Sequence, residues 1–156
     1  MTRSARVLVV STRAAAGQYT DRTGPVIREW LVERGFETPE PVVVADADIA
    51  TALPQVLAEN PDVLLTTGGT GVSPDDRTPE VTLAVLDAEL PGLSEEQRRR
   101  GAEKTPAALL SRGRAGVSGR TVVMNLPGSS GGVRDGLAVL GGVLDHLLDQ
   151  LAGGDH

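Results

Sequence analysis

The chain has 156 residues, a formal charge of −6, 40% hydrophobic and 2% aromatic residues, and no cysteine. That length and apolar fraction fit one ordinary domain with a core of Val, Leu, Ile and Ala, and they argue against disorder. The acidic pI of about 4.9 argues against a dedicated nucleic-acid binder. The missing cysteines exclude thiolate catalysis, disulfides and cysteine zinc sites, and two histidines, His146 and His156, are too few for a histidine metal cluster.

In chain order, "RVLVV" (6–10) predicts a buried strand. Residues 7–10 are too short for the apolar core of a signal peptide, and no run approaches the roughly 18 apolar residues of a membrane span. No membrane partner and a cytoplasmic location are therefore expected. Residues 21–35 predict a helix with Val26, Ile27, Trp30 and Leu31 on one face and Gly35 at its C-terminal end. "PVVVAD" (41–46) predicts the second strand. Asp48 is an N-cap candidate for a helix to about residue 59, in which Pro54 demands a late start or a kink.

"DVLLTT" (62–67) predicts the third strand, which runs into Gly68-Gly69-Thr70-Gly71. Thr78 and Pro79 then read as N-cap and first residue of a helix. Ser94 and Gln97 have capping-box spacing and predict another helix start. Residues 105–113 predict a short helical piece, and "RTVVMNL" (120–126) a further strand. One C-terminal helix is expected to bury Val133, Leu137, Leu140, Leu144, Leu147, Leu148 and Leu151. The alternation predicts an α/β class: a doubly wound, mainly parallel sheet flanked by helices. No internal boundary is visible, so a single domain over 1–152 is expected, with a disordered tail at 153–156.

Two strands end on glycine-rich loops, "TTGGTGVSPDD" and "NLPGSSGG" (125–132). Glycines let a backbone turn closely around a ligand, and successive N–H groups beside a helix N-terminus bind anions. Ser129 and Ser130 add hydroxyls. Neither loop has the Lys and Ser/Thr of a P-loop, and each taken alone is equally a simple turn. Asp46 and Asp76 end or follow parallel strands on the same side, where a divalent ion such as Mg²⁺ would reconcile two carboxylates with bound phosphates. The alternative leaves Asp46 and Asp48 competing for one helix cap, and Asp75 and Asp76 solvated.

"GQYTDRTGP" (17–25), "TTGGTGVSPDDRTPE", "LPG" (90–92), "LLSRGRAGVSGRT" and "NLPGSSGG" occur in an order that resembles the Mog/MoaB family of molybdenum cofactor biosynthesis. That family comprises molybdopterin adenylyltransferases and relatives of the gephyrin G domain. The resemblance covers about residues 5–151. It implies a homotrimer that uses Mg²⁺ and ATP to transfer AMP to the terminal phosphate of molybdopterin, releasing pyrophosphate, with a downstream molybdate-insertion protein as partner. It places the catalytic and metal carboxylates on Asp46 and Asp76, and the contact to the pterin phosphate on Ser111. Nucleotide and phosphate contacts fall on Gly68, Gly69, Thr70 and Gly71, and on Asn125, Pro127, Gly128 and Ser129. Two departures stand out: Ser11-Thr12 where the family often has Ser-Asp, and Asp75 where a basic residue is common. Asp75 favours the alternative of a non-catalytic molybdopterin-binding or delivery protein. Arg112 is the nearest candidate cation, or a plain surface arginine.

Overall fold

The computed structural model of the protein describes residues 2–154. Six strands form one mixed sheet: β1 (Ala5–Val10), β2 (Val42–Val44), β3 (Val63–Thr67), β4 (Ala88–Glu89), β5 (Ala115–Ser118) and β6 (Thr121–Leu126), in the order β2-β1-β3-β6-β5-β4. β2, β1, β3 and β6 run parallel, and β5 and β4 add an antiparallel edge. The helices are α1 (Thr12–Ala15), α2 (Thr23–Glu33), α3 (Ile49–Leu57), α4 (Thr78–Val85), α5 (Pro91–Ala102), α6 (Ser130–Gly141) and α7 (Leu144–Leu151). Among the described residues, no helix is long and apolar enough to cross a membrane.

The central strands β1, β3 and β6 are buried along nearly their whole length, and mostly apolar, because both faces are covered. Val7, Val9, Leu65 and Met124 join a core with Ile27 and Leu31 of α2 and Leu137 and Leu140 of α6. Leu8, Val10, Leu64 and Val123 point the other way, onto Ile49, Leu53 and Val56 of α3. These two cores place the carboxyl ends of β1, β3 and β6 side by side. The chain leaves β1 in one direction to β2 and in the other to β3, which is the switch point where open α/β sheets bind ligands.

Several local expectations change. Val26 is exposed rather than core, and Trp30 is only half-buried, with Arg34 stacked 4.2 Å from its ring centroid. Helix α3 begins at Ile49, with Pro54 in its interior and no side-chain cap from Asp48. Thr78 is the first residue of α4 rather than its cap, and its buried hydroxyl has no partner. Ser94 and Gln97 form no capping box, because Pro91 starts α5 earlier and leaves both in its buried interior. Residues 106–110 form a 3₁₀ turn. The expected C-terminal helix is two, α6 and α7, broken at Gly142-Val143. Gly153, with φ +85°, and Gly154 close α7 by donating to Gln150 O and Asp149 O; Asp155 and His156 of the expected tail lie outside the described residues.

β4 and β5 escaped the sequence reading. β4 has two exposed residues, and β5 contains Gly116, where a β-carbon would strike Ala88 O of β4. The missed signal was "SGRT": Ser118 pairs with Thr121, and Gly119 makes the two-residue hairpin turn at φ +58°.

Asn125 ties this edge to the parallel strands. Its Nδ2 donates to the hydroxyls of Thr66 (3.0 Å) and Thr82 (2.9 Å), and its Oδ1 accepts from Arg114 N (3.0 Å). Asn125→Leu strands these buried groups, so urea unfolding should show a loss of about 1–3 kcal/mol.

Candidate functional site

The two glycine loops meet. Gly68 leaves β3 with φ +92° and donates its N–H to Leu126 O at 3.1 Å. A β-carbon there would collide with Val10 O, and one on Gly128 would lie 3.7 Å from Gly68 Cα. Thr67 Oγ1 donates to Pro127 O at 2.7 Å and locks the second loop to the end of β3. Ser129 caps α6 by accepting from Gly132 N at 3.1 Å. Gly68 to Gly71 and Pro127 to Ser129 thus form one continuous rim.

Both carboxylates chosen from the sequence turn toward the first loop. Asp46 Oδ1 lies 3.4 Å from where a Gly69 β-carbon would stand, and Asp76 Oδ2 lies 2.8 Å from the corresponding point on Gly71. Thr12 fixes Asp46 from both sides: its hydroxyl donates to Asp46 Oδ2 at 2.8 Å and accepts from Asp46 N at 3.0 Å. The departure at Thr12 therefore has a structural role that the sequence did not disclose. Asp76 Oδ2 accepts from Ser73 N at 3.2 Å, whereas Asp75 is exposed. Neither Asp46 nor Asp48 makes a side-chain helix cap.

Among the described residues no three His, Cys, Asp or Glu side chains group as a metal site. Two carboxylates over one glycine turn still fit Mg²⁺, which takes one or two carboxylates and keeps several waters or phosphate oxygens. A side chain at Gly69 or Gly71 would crowd that space.

Arg112 is more than a surface arginine. Its Nε donates to Gly71 O (2.8 Å), its Nη2 to Asp76 O (2.9 Å), and its backbone N to Thr70 O (2.8 Å); Nη1 pairs with Glu80. The hydrogen bond from Arg112 is the main reason the Glu80 carboxyl is held below the usual range. This folded-state depression stabilises the pair above the ordinary carboxylate pKa, and the contribution fades as pH falls through the lowered value.

Next to Arg112, Ser111 lines a groove of about 510 Å³ that also borders Thr70, Gly71, Pro127 and Ser129. Arg98 Nη1 holds this segment through Ser111 O (3.3 Å) and Gly113 O (3.2 Å). The structure therefore gathers all the proposed residues except Asn125, which is 1% exposed and committed inside the fold. Thr70 is also mostly buried and contributes its carbonyl to the Arg112 clasp. On the opposite side of the rim, a second cavity of about 300 Å³ borders Ser11, Tyr19, Asp21, Gly68, Gly128 and Ser129.

The fold and site define an α/β domain with a double glycine loop at its switch point, a carboxylate pair on that loop and cavities on either side. A family model described as a probable molybdopterin binding domain matches residues 6–146, and the chain belongs to that family. It is 40% identical over 154 residues to the molybdenum cofactor biosynthesis bifunctional protein of Synechococcus elongatus, covering 97% of this chain and 48% of that protein. It is 35% identical over 136 residues to the molybdopterin adenylyltransferase of Escherichia coli K12, covering 82% of this chain and 68% of that one. The solved structure of the molybdopterin biosynthesis Mog protein from Mycobacterium ulcerans matches with a TM-score of 0.91 at 53% identity, covering 96% and 99% of the two chains. The chain spans about half the length of the bifunctional relatives that it matches.

Arg112→Ala should loosen the Gly71–Asp76 segment and cost about 1–3 kcal/mol in denaturant unfolding, through the unpaired carbonyls it leaves. Arg112→Lys should restore little, because an ammonium cannot span the same fork of acceptors; recovery of full stability by Lys would refute the clasp.

Proposed function

We propose that the protein transfers AMP from ATP to the terminal phosphate of molybdopterin. The observation that carries this is the convergence of Asp46 and Asp76 on the same glycine turn that borders the Ser111 groove. The names of the relatives support it. A phosphate oxygen of the substrate attacks the α-phosphorus of ATP, the bond to the β-phosphate oxygen breaks, and pyrophosphate leaves. The nucleophile is already ionised at neutral pH, so no strong general base is required.

The chain's task is positioning and neutralisation. Backbone N–H groups along Gly68–Gly71 and at Gly128–Ser129 hold phosphates, and Ser111 meets the substrate phosphate. Arg112 contributes by fixing the loop rather than by touching a phosphate. Asp46 and Asp76 would hold Mg²⁺, which when bound neutralises charge on the α-phosphate and the leaving pyrophosphate. A cytoplasmic homotrimer that passes its product to a molybdate-insertion protein completes the proposal, on the family resemblance.

The decisive test is pyrophosphate release from protein, ATP, Mg²⁺ and molybdopterin. Pterin binding without release would instead support the non-catalytic delivery protein that Asp75 favours. Asp76→Asn should fold normally and keep pterin affinity, yet lose about 10²–10³ in transfer rate, the usual cost of one key electrostatic group. Asp75→Asn should change little, since that side chain faces solvent. A strong loss from Asp75 with near wild-type release by the Asp76 variant would reverse the assignment.

Gly71→Ala gives an independent measure of carboxylate placement. Gly71 has no positive φ, so the fold should tolerate alanine, but the new methyl would push Asp76 Oδ2 from a point 2.8 Å away. The expected result is an unchanged melting temperature with slower pyrophosphate release and a higher Mg²⁺ requirement.

A further inference from the structure

The α5–α6 wall of the Ser111 groove holds polar groups that the transfer chemistry does not use. Gln97 of α5 is only 6% exposed, and its side chain lines the groove. Its carboxamide makes no hydrogen bond to any described residue, although a buried amide ordinarily finds partners. Neither of its heteroatoms is sealed from solvent in the way the unpaired hydroxyls of Thr78 and Ser94 are, so the amide presents its donors and acceptor to the groove. Asp135 of α6 lines the same groove with a side chain 11% exposed. Lys104 Nζ donates to its Oδ1 at 2.7 Å, while Oδ2 has no hydrogen bond within the described chain.

Glycines bring these two groups to one seam. A β-carbon on Gly136 would lie 3.0 Å from Gln97 Oε1, and one on Gly101 would lie 4.0 Å from Asp135 Oδ2. The small residues Ala107, Ala108, Gly131 and Gly132 share the lining with Arg98, Thr105 and Leu110, and the groove's volume of about 510 Å³ admits a flat ring.

We infer that Gln97 and Asp135 recognise the hydrogen-bonding edge of a 2-amino-4-oxopyrimidine ring lying in this groove. That edge presents two adjacent N–H donors and then a carbonyl acceptor. A carboxylate accepts from the 2-amino group and the ring N–H, and a carboxamide N–H donates to the 4-oxo oxygen. Lys104 orients the carboxylate, and its Oδ1 retains capacity for a second donor. Adenine lacks this donor–donor–acceptor row, so the site discriminates against ATP and leaves the nucleotide to the carboxylate side of the rim. A pterin and a guanine share the edge. The assignment to a pterin rests on the function proposed above, and it names the part of that substrate the chain reads.

The test is a fluorescence titration of the whole chain with pterin-6-carboxylate and with its 2-oxo analogue, lumazine-6-carboxylate. GMP is a third ligand, followed by competition, and ATP binding and thermal melts are measured in parallel. The wild type should prefer the pterin to the 2-oxo analogue by about tenfold or more, the scale of one lost hydrogen-bond pair. Gln97→Leu should weaken pterin binding by about tenfold, and Asp135→Asn should abolish the preference for the 2-amino ring, both with ATP affinity unchanged. Gln97→Glu, which keeps the shape but removes the donor, serves if the leucine variant does not fold.

GMP bound with the same dependence on Gln97 and Asp135, and no pterin bound, would confirm the edge while removing the pterin from the proposed function. Wild-type selectivity in the folded variants would overturn the inference and leave the transfer reaction standing. No binding of either ring by the wild type would overturn the inference outright. Pyrophosphate release with molybdopterin would then decide separately whether the functional proposal survives.

Discussion

The collision-free approach of Gly68 to the end of β1 is the constraint on which the site depends. At that point the backbone must turn at φ +92° in space that a β-carbon would share with Val10 O, while its N–H reaches Leu126 O. One residue therefore closes contacts to β1, β3 and β6 together. Any L-residue there would separate strand ends that the two apolar layers hold in register. Because these strands run parallel, the loops leaving β3 and β6 have nowhere to go except alongside each other. The rim follows from strand direction and one missing side chain.

Much of this was legible from the chain. Continuous apolar runs without alternation marked strands buried on both faces, and the parallel core followed. The glycine loops, Asp46 and Asp76 could be placed at one end of the sheet because parallel strands all terminate there, whereas Ser111, which precedes the antiparallel β5, was implied only by the family resemblance. What escaped were features that depend on tertiary neighbours. β4 is two exposed residues, paired only because Gly116 lets Ala88 approach. Asn125 looked like a rim residue from its place in "NLPG", but the residue alternation of β6 turns its amide inward toward Thr66 and Thr82. Ser94 and Gln97 matched a capping motif, yet Pro91 had already fixed the start of α5. A local motif can specify hydrogen-bonding potential without specifying where the helix around it begins.

The acidic balance and the anion-binding geometry are compatible because they act over different ranges. A net charge of −6 governs long-range encounter and is screened within about 8 Å at physiological ionic strength. Within the site, orientation matters more than total charge. Three arginines around the Ser111 segment are spent on carbonyls and carboxylates: Arg98 on Ser111 and Gly113, Arg112 on Gly71 and Asp76, Arg114 on Glu89. They hold loops in place rather than offering free charge to a phosphate. Backbone N–H groups and the capped start of α6 are left as fixed donors, which need no reorganisation when a ligand arrives.

The same division of labour explains the small residues around the groove. α5 and α6 pack closely because Gly101 and Gly136 present no side chains, and a β-carbon on Gly136 would meet both Leu126 and Gln97. That closeness has two consequences from one cause. It seals the apolar layer beneath β6, which keeps the end of that strand fixed. It also brings a carboxamide and a carboxylate from different helices onto a shared wall, one unpaired and the other held by Lys104. Substituting larger residues at the seam would part the helices, and so would disturb the rim through Leu126 and the groove through Gln97 together. Rigidity at the strand ends and selectivity in the groove therefore depend on the same helix contact.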